Sequence, residues 1–248
     1  MELTVVTLAQ RPDLTDEMWS LPNTWPVFMR QDPVANLYYG QLVEAFPELQ
    51  LVALDEHSKV IGKVHSVPMV WDRSINDLPD RGWDAVLERA FTQALAGAEC
   101  QTASLIEAFI SPEHAGRGLS SKLLLAAREN AASMGYRDLL GPIRPTGKAA
   151  FPHEAMTDYV ARLGPDGLPF DPWLRTHVRL GGVVIKVCPV AMTIPGTLSQ
   201  WREWTGLELR SSGAVEVPGA LTPVHVSVEH DHGVYIEPNV WVRHQLAE

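Results

Sequence analysis

The residues best placed by type and spacing to do chemistry lie between Leu105 and Gly135. An apolar run of strand character ends at Ser111-Pro112, which continues neither a helix nor a strand ladder. Gly116-Arg117-Gly118 then opens a run that is helical by periodicity. Leu119, Leu123, Ala127, Ala131 and Met134 share one face of it, Lys122, Glu129 and Ser133 another, and Gly135 stands where a left-handed cap is expected. Two glycines at the mouth of a helix let backbone N–H groups approach an anion closely, and the helix dipole adds to their pull. Gly116, Gly118 and the helix mouth therefore form a candidate phosphate cradle, with Arg117 and Lys122 near enough to offset phosphate charge. The competing reading of a bare Gly-x-Gly is a tight strand-to-helix turn. A mononucleotide loop needs Gly-Lys-Ser/Thr, which is absent; a dinucleotide fingerprint needs a third glycine where Ser121 stands, and an acid at the end of the next strand where Asp138 only begins it.

The elements that must position this cradle follow from periodicity and turn chemistry. Leu3–Leu8 reads as a strand, Asp13–Trp19 and Asn36–Phe46 as helices, the second entered through Asp32-Pro33. Leu49–Leu54 and Val60–Val70 read as a hairpin around Asp55–Lys59, and Cys100–Ile110 as the strand feeding the cradle. After the cradle helix come a strand at Leu139–Ile143, a Pro- and Gly-rich segment with a short helix near Met156–Leu163, and a helix over Asp171–Leu180 with Asp171 as cap and Pro172 first. Val183–Pro189 and Ala191–Ile194 form a strand pair or one bent strand. Leu198–Thr205 is a helix closed by Gly206, and the tail holds short strands near residues 215–217, 224–228, 234–236 and 240–242. His230-Asp231-His232-Gly233 reads as a hairpin turn rather than a metal site, and no metal is expected.

Composition narrows the partners. The 248 residues are 46% hydrophobic and 20% charged, enough for a sizeable core. The net charge of −10 argues against nucleic acid or an anionic membrane, so an anionic ligand must be held by local amides and a few arginines. Cys100 and Cys188 read as buried free thiols. With no signal segment and no apolar run long enough to span a bilayer, the expected location is cytoplasmic.

The string Ile110-Ser111-Pro112-Glu113-His114-Ala115-Gly116-Arg117-Gly118-Leu119-Ser120 resembles the acyl-CoA-binding motif of the GNAT N-acetyltransferase superfamily, with Ala115 and Ser120 departing from its usual residues. The order of elements over about residues 1–195 is similar too. The resemblance implies an α/β (α+β) fold: a mixed, mostly antiparallel sheet with helices on both faces and splayed central strands. Residues 1–195 would be the acyl-CoA-binding domain, and 196–248 a β-rich extension packed on it or a homodimer contact. It implies that Phe109, Ile110 and Ser111 bind the pantetheine arm while Ala115–Ser120 hold the diphosphate. His177, in His177-Val178-Arg179-Leu180-Gly181, matches the position of a family acid. Near the negative end of its helix an imidazolium would be favoured there, able to protonate the departing thiolate. Glu107 would be general base if it faces the gap, or else an ordinary strand carboxylate. Four further strings, beginning at Arg144, Asp166, Trp201 and Glu237, resemble the branch that includes GNAT-like loading domains of polyketide synthases. There Thr146 and His177 would be the functional pair, with Thr146 otherwise a turn former. Arg144, His153 and Trp173 are candidate substrate contacts. Three functions follow: acyl transfer from acetyl-CoA or another acyl-CoA to a small-molecule amine; decarboxylation or transfer to an acyl carrier protein thiol; or acyl-CoA binding without catalysis.

Overall fold

Turn chemistry sets the first pairing. Asp55 Oδ1 accepts from the amides of His57 and Lys59 at 2.9 Å each, and Ser58 takes a φ of 61°. This closes the expected hairpin between Gln50–Leu54 and Val60–Met69. The computed structural model describes residues 3–246. Its strands are β1 (Thr4–Thr7), β2 (Gln50–Leu54), β3 (Val60–Met69), β4 (Thr102–Ile110), β5 (Asp138–Ile143), β6 (Val183–Gly196), β7 (Gly213–Val215), β8 (Val224–Ser227) and β9 (His232–Gln245). Its α-helices are α1 (Thr15–Trp19), α2 (Pro33–Tyr38), α3 (Leu42–Ala45), α4 (Gly82–Arg89), α5 (Leu119–Ser133), α6 (Met156–Ala161), α7 (Pro172–Arg179) and α8 (Leu198–Thr205). The helix expected over Asn36–Phe46 is broken by a 3₁₀ turn at Tyr39–Gln41. No described helix is long and apolar enough to cross a membrane.

The sheet runs β1-β2-β3-β4-β5-β9-β8-β7, with β6 on the other edge of β9. Among the described strands only β4 and β5 pair in parallel. Strand alternation assigns the two faces. A Cβ at Gly62 would sit 2.7 Å from Ile110 Cδ1 and 3.4 Å from Leu123 Cδ1, so Gly62 and Ile110 face α5. Lys63 and His65 point the other way, where Trp19 of α1 stacks on His65 and Tyr39 lies edge-on to it. Glu107 and Phe109, the register partners of His65 and Lys63, share that face. α5 buries Leu119 and packs Leu123, Leu124, Ala127 and Ala131 into the main core, the expected stripe with Leu124 added and Met134 exposed.

The tail is more than an extension laid on the sheet. The short strands expected at residues 234–236 and 240–242 are one strand, β9, which pairs with β5 through residues 240–245 and with β6 along most of its length. Pro238 does not interrupt it. On the β6 side Pro189–Ala191 bulge out between the pairs Cys188↔Asn239 and Met192↔Glu237. On the other edge Pro238 falls between the end of β5 and the start of β8, so its missing N–H leaves no ladder partner stranded. Trp241 and Val242 carry β9 into the main core. A chain ending at residue 195 would therefore leave β5 and β6 without the strand that joins them. It is expected to show no cooperative unfolding transition by circular dichroism in urea; a cooperative transition would mean that the first 195 residues fold alone.

Candidate active site

The site begins where two neighbouring strands part. β4 and β5 pair only at Thr102–Ser104 and Asp138–Leu140; from Leu105 onward the β5-facing edge of β4 has no ladder partner. Leu105 and Ile143 meet over Gly141, where a Cβ would come within 3.2 Å of Leu105 Cβ and 2.8 Å of Ile143 Cδ1, so the fork of the V is filled by side chains. On its other edge β4 bulges at Ile106, between the pairs Ser66↔Leu105 and His65↔Glu107. Bulges bend a strand and re-aim its side chains.

A cavity of about 660 Å³ opens in this parting. Leu105–Phe109 form one wall, Pro142–Arg144 and Thr146 the other, and Trp19, Trp25, Tyr39, Trp83 and Trp173 supply aromatic surface. Trp83 Nε1 donates to Ile106 O at 2.9 Å, using one of the carbonyls left in the gap. Glu107 lines the cavity and is held from three sides. Its Oε1 accepts from Trp25 Nε1 at 2.8 Å, and its Oε2 accepts from the Tyr39 hydroxyl and lies 3.0 Å from Lys63 Nζ. Burial alone would raise its pKa; the Lys63 ammonium and the two hydrogen bonds outweigh burial and hold it below the ordinary value. Burial, with Glu107 beside it, pushes the Tyr39 phenol well up.

At the far end Arg144 Nε reaches both oxygens of buried Glu237, at 3.1 and 2.9 Å, and its Nη2 donates to Gly219 O at 2.5 Å. Tyr235 and Asn239 complete the cage around Glu237, at 2.9 and 3.0 Å, and the Trp25 ring lies 5.5 Å from the guanidinium carbon. Thr146 and Trp173 are brought to the cavity by a single buried carboxylate. Asp171 Oδ1 caps α7 through the amides of Trp173 and Leu174 at 2.9 and 3.0 Å. Its Oδ2 accepts from Gly147 N at 2.7 Å and Tyr159 OH at 3.0 Å. Residue 147 must be glycine-sized, since a Cβ there would lie 2.6 Å from the Tyr159 hydroxyl.

The cradle loop differs from expectation at its start. Ser111 is buried and its amide is spent on Ile61 O at 2.8 Å, and the Ala115 amide closes a 3₁₀ turn onto Pro112 O at 3.2 Å. Neither N–H is open to a ligand. Gly116 and Gly118 take φ of 76° and 71° with open space where a Cβ would be, and α5 begins with no side-chain cap. The N–H groups of the first turn, Gly118 to Ser120, thus face outward uncapped, nine to eleven residues past the cavity wall at Phe109. Phe109 lines the cavity, whereas the Ile110 side chain turns to α5.

His177 departs furthest from the expected imidazolium. It is fully buried, its Nδ1 lies 2.9 Å from His244 Nε2, and burial together with His244 lowers its pKa to about 3. The helix dipole loses to desolvation here, because the His177 ring is buried between Trp173 and His244 rather than in water. His177 is not among the residues lining the cavity; Trp173, one turn earlier, is, with its ring 4.5 Å from the imidazole. His153 is also outside the cavity, exposed and paired with Glu216 at 2.6 Å. His230 sits in the β8–β9 turn against Ser227, and among the described residues no cluster of three ligating side chains suits a metal.

Sequence reasoning missed Trp25, Tyr39, Lys63 and Trp83, which belong to no motif, and gave Glu237 only as the first residue of a string, with no role. It also missed His244, pushed down to about 4 by burial and Arg128. The histidine shifts carry a sign. His177 and His244 stay neutral in the folded chain but charge in the unfolded chain below its ordinary value of 6.5, so folding stability is full above that value and falls as pH drops towards 4 and 3. Unfolding at about pH 5 should take up about one proton fewer in His244→Gln than in the wild type. Calorimetry in buffers of different ionisation enthalpy reads this; equal uptake would mean that His244 is already charged in the fold.

No family model matches the chain. A curated relative, the arginine N-acetyltransferase avaD of Aspergillus versicolor, is 32% identical over 272 residues, spanning 97% of this chain and 93% of that one. Among solved structures the loading GNATL domain of CurA from Lyngbya majuscula superposes with a TM-score of 0.59 at 15% identity, over 99% of this chain and 98% of that one. The GphF GNAT-like decarboxylase, in complex with isobutyryl-CoA, follows at 0.55 and 16%, over 99% and 100%. These superpositions show a shared fold; the sequence relative settles the lineage. The chain belongs to the GNAT superfamily and is an acyl-CoA-dependent N-acetyltransferase.

Proposed function

We propose that the chain transfers an acetyl group from acetyl-CoA to an amine of arginine or of a small molecule resembling it. The observation that carries this reading is the ionised Glu107 in an aromatic cavity at the parting of β4 and β5. The amides from Gly116 to Ser120 hold the CoA diphosphate, the open edge of β4 on either side of Phe109 (the Ala108 carbonyl and the Ile110 amide) guides the pantetheine arm, and the thioester enters between the strands. Flat aromatic walls suit a planar guanidinium, and Arg144, fixed by Glu237, presents its charge to a carboxylate. Glu107 accepts a proton from the acceptor nitrogen, whose lone pair attacks the thioester carbon while the C–S bond breaks. An ammonium acceptor and acetyl-CoA thus give an amide, a free thiol and one proton. His177 supports Trp173 rather than acting as the acid. The free Cys100 and Cys188 fit a cytoplasmic setting.

Thr146 on the cavity wall favours a second reading, decarboxylation of a malonyl-type thioester, with transfer to a carrier-protein thiol as its extension. One assay separates the two. With acetyl-CoA and L-arginine, thiol release and an acetylated product by mass spectrometry are expected. Conversion of malonyl-CoA to acetyl-CoA without any amine, and no arginine product, would replace the first reading with the second. The cradle has its own test. Gly118→Asp places a carboxylate where the helix dipole welcomes it but a diphosphate does not. With the backbone strained at a φ of 71°, the variant should melt a few degrees lower yet stay folded, while KM for acetyl-CoA rises on the order of tenfold; an unchanged KM would place the diphosphate elsewhere.

A further inference from the structure

One buried acceptor beside Glu107 has no bond. Gln50 is fully buried, and its Nε2 donates to Phe46 O at 2.8 Å and Ser66 O at 2.9 Å, which spends both amide hydrogens and fixes the side chain's orientation. Its Oε1, 2.7 Å from His65 Nδ1, must therefore accept, and Nδ1 must carry the hydrogen. Burial and Lys63 lower the His65 pKa to about 3, so the ring is neutral and Nε2 is a bare lone pair. That lone pair is buried without a partner, 4.0 Å from Glu107 Oε2. Two acceptors face each other, and only a proton between them makes a bond.

The surroundings show which state of Glu107 each neighbour favours. Trp25, from the segment before α2, Tyr39, from the turn after it, and Lys63 of β3 all donate to the carboxyl and so stabilise its ionised form. From β2 the ring meets only neutral Gln50, and from α1 only Trp19, stacked at 5.4 Å. Around Glu107 the His65 Nε2 lone pair is the acceptor left without a bond, since the Tyr39 hydroxyl already accepts from Lys63 Nζ at 3.2 Å.

We propose that His65 is a positioning residue for proton uptake at Glu107, its Nε2 receiving the hydrogen bond that Oε2 can give only when the carboxyl is protonated. This rests on Glu107 being the proton acceptor. In the step, an N–H bond of the acceptor breaks with its electron pair staying on nitrogen, and an O–H bond forms on Glu107. The O–H···Nε2 bond offsets the opposition of Lys63, and the proton passes to solvent after product leaves.

The test compares His65→Phe, which keeps the ring stack, with His65→Gln, which restores an acceptor. L-Arginine acetylation is followed from about pH 6 to about pH 10. For the Phe variant kcat should fall on the order of tenfold at neutral pH, with KM for acetyl-CoA moving less than about twofold. The deficit should shrink as pH passes the pKa of the α-amine, because the acceptor then arrives deprotonated. The Gln variant should recover most of the loss. A deficit equal at every pH, or Gln no better than Phe, overturns the proposal. Nitrogen-15 NMR of the histidines reads the geometry without any acceptor. Wild-type Nε2 should resonate as a bare imine nitrogen and move into the hydrogen-bonded range in Glu107→Gln, whose amide mimics the protonated carboxyl. A proton on wild-type Nε2, or no movement, also overturns it. If the wild type leaves arginine untouched while Nε2 behaves as expected, the choice of acceptor fails and the His65–Glu107 contact stands.

Discussion

A strand that stops pairing midway leaves backbone N–H and C=O groups that must find other partners, and the structure around β4 is organised by that demand. Up to Ser104 its inner edge belongs to β5; beyond it, Trp83 takes one carbonyl and the cavity faces the rest. The V can exist because Leu105 and Ile143 fill its fork and because β9 braces β5 from the far side. Without that brace β5 would be a free edge, open to pairing with another chain. The opening between the strands is thus maintained by packing on both flanks.

Charge is handled locally. The chain carries a net charge of −10, yet the cavity wall presents Arg30, Lys63 and Arg144 against Glu107 and Glu237. Each carboxylate there is tied to a cation on one side and to neutral donors on the other, and at Glu107 these contacts outweigh burial. The buried histidines follow the opposite course. His65, His177 and His244 lie among aromatic rings or one another, have no carboxylate in direct hydrogen-bond contact, and give up their charge. Desolvation is the larger effect wherever no anion is within bonding reach.

Local signals in the sequence were read well where local chemistry decides the structure. Asp171-Pro172 starts α7, Gly206 closes α8 with a φ of 72°, and the Gly-x-Gly loop opens α5. The mixed sheet and its parted strands were legible through the resemblance of one loop and the order of elements. What the sequence hid depends on contacts distant along the chain. Val234–Ile236 and Val240–Val242 read as two strands because Pro238 interrupts them, and only the coincidence of a β6 bulge with a gap between β5 and β8 lets one strand pass through. His177 read as a helix-end imidazolium, since nothing nearby reveals that His244 lies over it. Trp25, Tyr39 and Lys63 converge on Glu107 from three separate segments, and no spacing rule connects them.

The central position of β9 has a bearing on how the molecule is made. The sheet's middle joint is closed by residues 232–245, which pair with a strand that begins at Asp138 and another that begins at Val183. During synthesis the hairpin and the β4–α5–β5 unit can form early, but β5 keeps an unsatisfied edge until residues 240–245 have emerged. Contacts of such long sequence separation slow folding. The nascent protein therefore passes through a stage in which an apolar strand edge is bare, and its yield depends on that edge meeting β9 before it meets a neighbouring chain.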